Sequence, residues 1–140
     1  IEYFNFSQND LEFLDLGLVL EDQDASKECV IAYKKSPLLW RKESYLVIVG
    51  GDFDASRYVL SDNAQLMRLK QKSLCGGLSN NKGKTIKLVD EQLRVLDRYS
   101  GHLWPGQAGQ SIKKLNLRGL NEAPNYCYSS PSPGAAGEGC

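Results

Sequence analysis

The chain of 140 residues carries 17 Lys and Arg against 17 Asp and Glu, a formal net charge of zero. Its length fits one domain with enough chain to build a real core, and the missing basic excess argues against a general nucleic-acid-binding role. No apolar run approaches the roughly 20 residues of a helical bilayer span, so no membrane span is expected.

In the first 20 residues, Ser7-Gln8-Asn9-Asp10 offers N-cap chemistry ahead of Leu11, Phe13, Leu14 and Leu18. Leu11, Leu14 and Leu18 fall at helical spacing and give a short helix as the first reading. Leu16, Leu18 and Leu20 also alternate as in a strand, and periodicity leaves both open. An acidic loop from Glu21 to Glu28 leads to Cys29-Val30-Ile31-Ala32-Tyr33, a compact apolar run that reads as a buried strand. Pro37 ends it, because proline cannot donate to a ladder. Leu38-Leu39-Trp40 reads as core or as an exposed anchor. Tyr45-Leu46-Val47-Ile48-Val49 is the strongest strand signal, β-branched and aromatic, and Gly50-Gly51-Asp52 terminates it.

Two hairpins are expected next. The first joins Arg57–Leu60 to Leu66–Leu69 through Ser61-Asp62-Asn63-Ala64, and the second joins Thr85–Val89 to Leu93–Leu96 through Asp90-Glu91-Gln92. Between them, Gly76-Gly77 opens a glycine-rich loop that closes at Gly83. The spacing of Ile112, Leu115 and Leu117 within Gln107–Leu117 predicts a short amphipathic helix. An irregular tail starts at Ala123.

The four cysteines, Cys29, Cys75, Cys127 and Cys140, are widely and irregularly spaced, with no Cys-x-x-Cys pair. A zinc site is therefore not expected. Two disulfides of a secreted protein and buried free thiols both fit, and four cysteines allow three pairings. A bridge from Cys140 to Cys127, or to the body of the chain, would tie down the tail. Asn5-Phe6-Ser7 is a glycosylation sequon and favours secretion. With no signal peptide ahead of Ile1, the chain reads as a processed mature form or an excised domain.

His102 is the only histidine. It lies in Ser100-Gly101-His102-Leu103-Trp104-Pro105, where a ring at a fixed turn can serve as acid or base, or simply cap a carbonyl. Cys75 beside two glycines offers a formal thiol partner for His102, but no thiol-protease signature surrounds it. Gly-x-Ser-x-Gly is absent. Gly77 to Gly83 followed by Lys84-Thr85 has one residue too many between its glycines for a phosphate loop. Asp22 and Asp24, like Asp52 and Asp54, lack the downstream glycine and glutamate of a calcium loop and read as solvated turns. No metal or cofactor is expected. Lys70, Lys72, Lys82, Lys84 and Lys87 form a solvated rim, or meet an acidic partner or anionic ligand.

Tyr58-Val59-Leu60-Ser61, Leu66, Gly76-Gly77, Gly83, Ile86, Leu88-Val89-Asp90, Leu93, Leu96, Ser100-Gly101-His102 and Pro105 follow one another at a characteristic spacing. This stretch resembles the Ser-Gly-His-Tyr-x-Pro domain of plant IQ-motif calmodulin-binding proteins and of related fungal and bacterial toxin-like proteins. The resemblance covers about residues 58–105 and implies a shared fold and a site location rather than a reaction. Where that family has His-Ser-Ser before its glycine loop, this chain has Lys70-Gln71-Lys72, and Leu103 replaces the aromatic after the histidine. These departures weaken a catalytic reading. No calmodulin-binding segment is present, so calmodulin binding is not carried over.

The expected fold is α+β and β-rich: an antiparallel sheet or small barrel built from hairpins, with one or two peripheral short helices. Residues 1–128 form the domain and 129–140 a Ser/Pro/Gly-rich tail. The function that fits is a small secreted, non-catalytic recognition protein of effector or toxin-like type. It would bind a protein or glycan through Lys70, Lys72, Gly76, Gly77, Ser100 and Trp104. The alternatives are a toxin-like transferase or hydrolase with His102 catalytic, and a lectin stacking sugars on Trp104 or Trp40. Secretion is the expected location, with the cytoplasm as the alternative; the oligomeric state is not legible.

Overall fold

The computed structural model describes residues 1–21, 28–32, 38–72, 83–100 and 110–131. In chain order the strands are β1 (Glu2–Phe4), β2 (Leu11–Phe13), β3 (Leu16–Glu21), β4 (Glu28–Ala32), β5 (Leu38–Trp40), β6 (Tyr45–Val49), β7 (Ala64–Arg68), β8 (Thr85–Asp90), β9 (Val95–Ser100), β10 (Ser111–Lys114) and β11 (Tyr126–Ser129). Three-residue 3-10 turns span Ala55–Arg57 and Ala123–Asn125. Four strands form a sheet in the order β4-β3-β8-β9, three form a second in the order β1-β6-β7, and β2–β5 and β10–β11 are two-stranded. Among the described residues every pairing is antiparallel except that of β6 with β7.

Alternation builds the core. Leu16, Leu18 and Leu20 of β3 share one face, in register with Asp90, Leu88 and Ile86 of β8. On the second sheet, Leu46 and Ile48 of β6 join Met67 and Leu69, and one apolar cluster holds both sets together with Tyr3 and Trp40. Truncating any of these buried leucines to alanine is expected to cost about 2–5 kcal/mol. The opposite face of β6 is covered as well: Tyr45, Val47 and Val49 pack with Phe4, Phe53, Ala64 and Leu66. Burial on both faces explains why β6 reads as an unbroken apolar run.

The β8–β9 connection is organised by Asp90, which is buried although charged. Its Oδ1 accepts the backbone N–H groups of Gln92 (3.0 Å) and Arg94 (2.8 Å), and its Oδ2 accepts Arg94 Nε at 2.6 Å. These bonds hold Leu93 in the left-handed region, at φ 62°, with its side chain exposed. That conformation costs a leucine about 1–2 kcal/mol.

The outer edge of β9 is clasped. Arg98 N–H donates to Asp97 Oδ1 at 2.7 Å, and the Arg98 carbonyl accepts from Asn121 Nδ2. Tyr126 donates its hydroxyl to Asn121 Oδ1 at 2.9 Å, and its ring meets Tyr99 edge-on at 5.4 Å. Burial pushes both Tyr99 and Tyr126 up to about 12, so both stay neutral phenols at physiological pH.

Four expectations are corrected. Residues 11–18 form β2 and the start of β3, not a helix, because β3 is flanked on both sides and its backbone pairs with β4 and β8. A helix of that length is marginal by comparison. Gln107–Leu117 is not helical in its described part, 110–117: Ser111–Lys114 pairs with β11, and Leu115 and Leu117 are exposed rather than packed. Asn116 and Asn125 set the following turn, with Asn125 Oδ1 accepting Asn116 N–H at 2.8 Å and Asn125 Nδ2 donating to the Asn116 carbonyl at 2.9 Å. Among the described residues the 3-10 turns are therefore the only helical elements. The hairpin expected at Arg57–Leu69 does not form: Tyr58–Leu60 lies outside any strand, and β7 runs parallel to β6 after the long connection 50–63. Among the described residues no sheet closes into a barrel. The second expected hairpin is present as β8 and β9, but its second strand lies at Val95–Ser100 rather than Leu93–Leu96, because Leu93 belongs to the turn.

Burial raises the Asp90 carboxyl, but the hydrogen bonds from Arg94 and Gln92 outweigh it and hold the group below the ordinary carboxylate range. A depressed carboxyl stabilises the fold above its unfolded value and loses that contribution as pH falls through the folded one. Melting temperature is therefore expected to fall below about pH 4, and Asp90→Asn to melt lower at neutral pH with a shallower acid limb. An unchanged acid limb would remove Asp90 as its source.

Candidate functional site

The register of the four-stranded sheet determines which loop ends meet. Thr85 opens β8 and pairs with Ser100 at the end of β9 and with Glu21 at the end of β3. Glu21 in turn pairs with Glu28 at the start of β4. Gly83, the closing glycine of the glycine loop, is buried immediately before this row, and Ser100 is half-buried immediately before Gly101-His102. Thus the exit of the glycine loop and the entry to the histidine turn lie side by side at one end of one hairpin. Lys87 and Glu21 form a partly buried ion pair across β8 and β3 near the same end.

Of the sequence-predicted site residues, Gly76, Gly77, His102 and Trp104 lie outside the described residues. So do Cys75, Cys140, Asp22 and Asp24. Lys70 and Lys72 are exposed and follow β7, on the other sheet. Their backbone rests on the turn after β6: Gly51 N–H donates to the Gln71 carbonyl at 2.9 Å. A Cβ on Gly50 would collide with the Lys72 carbonyl, and one on Gly51 would sit 2.9 Å from the Leu69 carbonyl, so this turn requires glycine.

Trp40 is corrected from candidate sugar platform to core residue. It is 5% exposed, and its Nε1 donates to the Ser44 carbonyl at 3.1 Å. Asn5 also has a structural role. Its side chain is 3% exposed, and Nδ2 donates to the carbonyls of Trp40 (3.2 Å), Arg41 (3.1 Å) and Asn9 (3.2 Å). A glycan on that nitrogen would displace the amide from these acceptors.

Cys29 lies on β4 opposite Leu20, one position from the Glu21 row. Cys127 lies on β11 opposite Lys113 and is half-buried. Asp54 caps the 3-10 turn, with Oδ1 accepting from Ser56 N (3.1 Å) and Oγ (2.7 Å) and Oδ2 from Arg57 Nε at 3.2 Å. The Ser56 hydroxyl and N–H, ahead of Arg57, hold its carboxyl below the ordinary range. Among the described residues, no three metal-ligating side chains converge.

Two features escaped sequence reasoning. A concavity of about 290 Å³ is lined by Arg41, Lys42, Ser44, Asp62, Asn63 and Gln65. Its amides are already engaged: Gln65 accepts from Arg41 N–H at 3.0 Å and donates to the Leu39 carbonyl at 2.9 Å, and Asn63 donates to the Glu43 carbonyl at 3.2 Å. The second is an aromatic stack of Phe53 and Tyr58, with centroids 5.0 Å apart and ring planes 17° apart. No periodic signal joins residues of an irregular connection, so only the folded chain reveals the pair.

Compared with family models, curated proteins and solved structures, the chain matches none. Asn5→Ala is expected to destabilise the fold by about 1–3 kcal/mol in urea unfolding, because the buried Trp40 carbonyl and the partly buried Arg41 and Asn9 carbonyls lose their donor. A loss below about 0.5 kcal/mol would show that water replaces the amide.

Proposed function

We propose that this chain is a small secreted, non-catalytic recognition protein of effector or toxin-like type. It binds a protein or glycan partner through the glycine loop and the Ser100–Pro105 turn. The observation that carries the reading is the pairing of Thr85 with Ser100, which brings the ends of both segments to one place on a rigid sheet. Loops mounted on a buried scaffold are where binding surfaces are built. In this reading Gly76, Gly77 and Ser100 shape the surface, His102 and Trp104 supply its contacts, and Lys70 and Lys72 belong to a separate basic rim. The resemblance to Ser-Gly-His-Tyr-x-Pro domains enters as a common arrangement of these loops, without a common reaction. The alternative, a transferase or hydrolase, assigns His102 to acid–base chemistry.

The test compares His102→Ala and Trp104→Ala with the parent chain for melting temperature and for capture of partners from host extracts and glycan arrays. Both variants are expected to melt with the parent while losing at least about tenfold in affinity. Parallel losses of stability and binding would make His102 a structural cap, and turnover of a captured partner would favour the enzyme.

Secretion rests on proposed disulfides among Cys29, Cys75, Cys127 and Cys140. Intact mass is expected to show alkylation of all four cysteines only after reduction. Four thiols alkylated without reduction would place the chain in the cytoplasm.

A further inference from the structure

We infer that Tyr58 is a stacking platform for a neutral sugar ring, at a site separate from the Thr85–Ser100 end. Three layers build it. Phe53 is anchored to the outer face of β6 through Tyr45, Val47 and Val49. The Arg68 guanidinium lies 5.9 Å from the Phe53 centroid and also donates to the Phe53 carbonyl, fixing the ring from one side. Tyr58 stacks on Phe53 at 5.0 Å and remains 40% exposed.

An aromatic ring already immobilised by stacking loses little freedom when a ligand covers it. Tyr58 is fixed further as the C-cap of the 3-10 turn, where its N–H donates to the Ala55 carbonyl at 3.2 Å. The preceding residues, Asp54, Ser56 and Arg57, supply a polar border whose geometry is set by the Asp54 cap. An apolar plane with a polar edge matches a pyranose, which presents C–H groups on one face and hydroxyls around its rim. A nucleotide fits less well: Arg57 is paired with Asp54 and Arg68 is engaged with Phe53, so neither is free for a phosphate. A proline-rich peptide needs an aromatic-lined groove, whereas in this stack Phe53 is half-buried and Tyr58 is the exposed ring.

Binding of cellohexaose, chitohexaose, mannohexaose and xylohexaose to the full chain, followed by NMR shifts and calorimetry, tests the inference. At least one is expected to bind in the millimolar range or better, perturbing Tyr58. Tyr58→Ala is expected to weaken that binding about tenfold and Tyr58→Trp to retain it. Val59→Ala, at a neighbouring position that is 93% exposed, serves as the control and should bind like the parent. Thermal melts check that each variant folds. No binding of any of the four sugars overturns the inference. So does equal binding by Tyr58→Ala and the parent, or a polyproline peptide binding at Tyr58 more tightly than every sugar. His102→Ala leaves this binding unchanged, so failure here and failure of the recognition reading are separable.

Discussion

The register between β3 and β8 is the constraint on which the other parts depend. A slip of one residue would turn Leu16, Leu18 and Leu20 away from the core and replace them with Gly17, Val19 and Glu21. The same register places Leu16 opposite Asp90 at one end and Glu21 opposite Thr85 at the other. One end therefore carries the carboxylate-organised turn with Leu93. The other carries the paired exits to the glycine loop and the histidine turn. A packing requirement in the middle of the sheet positions both.

The two ends meet the cost of charge differently. Asp90 is buried and satisfied within its own turn, by backbone N–H groups and by Arg94 from four residues on. Glu21 finds its partner across strands, in Lys87 of β8. The first arrangement fixes a local conformation and imposes backbone strain on Leu93. The second joins neighbouring strands where the loops leave the sheet. Buried charge in this fold is thus tied to the geometry of strand ends.

Much of the sheet was legible because its signals are local. Tyr45–Val49 announces itself by composition, and the second hairpin by the apolar runs Thr85–Val89 and Leu93–Leu96 around Asp90-Glu91-Gln92, although its second strand lies at Val95–Ser100. The Ser100–Pro105 segment stood out in the sequence because it holds the only histidine and follows that hairpin. What failed was non-local. The helical spacing of Leu11, Leu14 and Leu18 is real, but β3 has a strand on each side, and two ladders outweigh an isolated turn of helix. The parallel pairing of β7 with β6 leaves no trace in a short window, since its partners lie across the connection 50–63. Trp40 and Asn5 illustrate a related limit. A tryptophan reads as a platform and an Asn-x-Ser as a glycan site until burial shows that each satisfies backbone groups of the core.

The clasp on β9 has a consequence for assembly. An exposed edge strand is a template for another chain, and natural sheets block such templates. Here Asp97 and Asn121 occupy both outward groups of Arg98, a rung close to Ser100. A strand arriving from a second molecule would have to evict a side chain already held by Tyr126 before it gained a bond at that rung. The clasp thus works as a gatekeeper against fibrous or swapped assembly along the outer edge of β9.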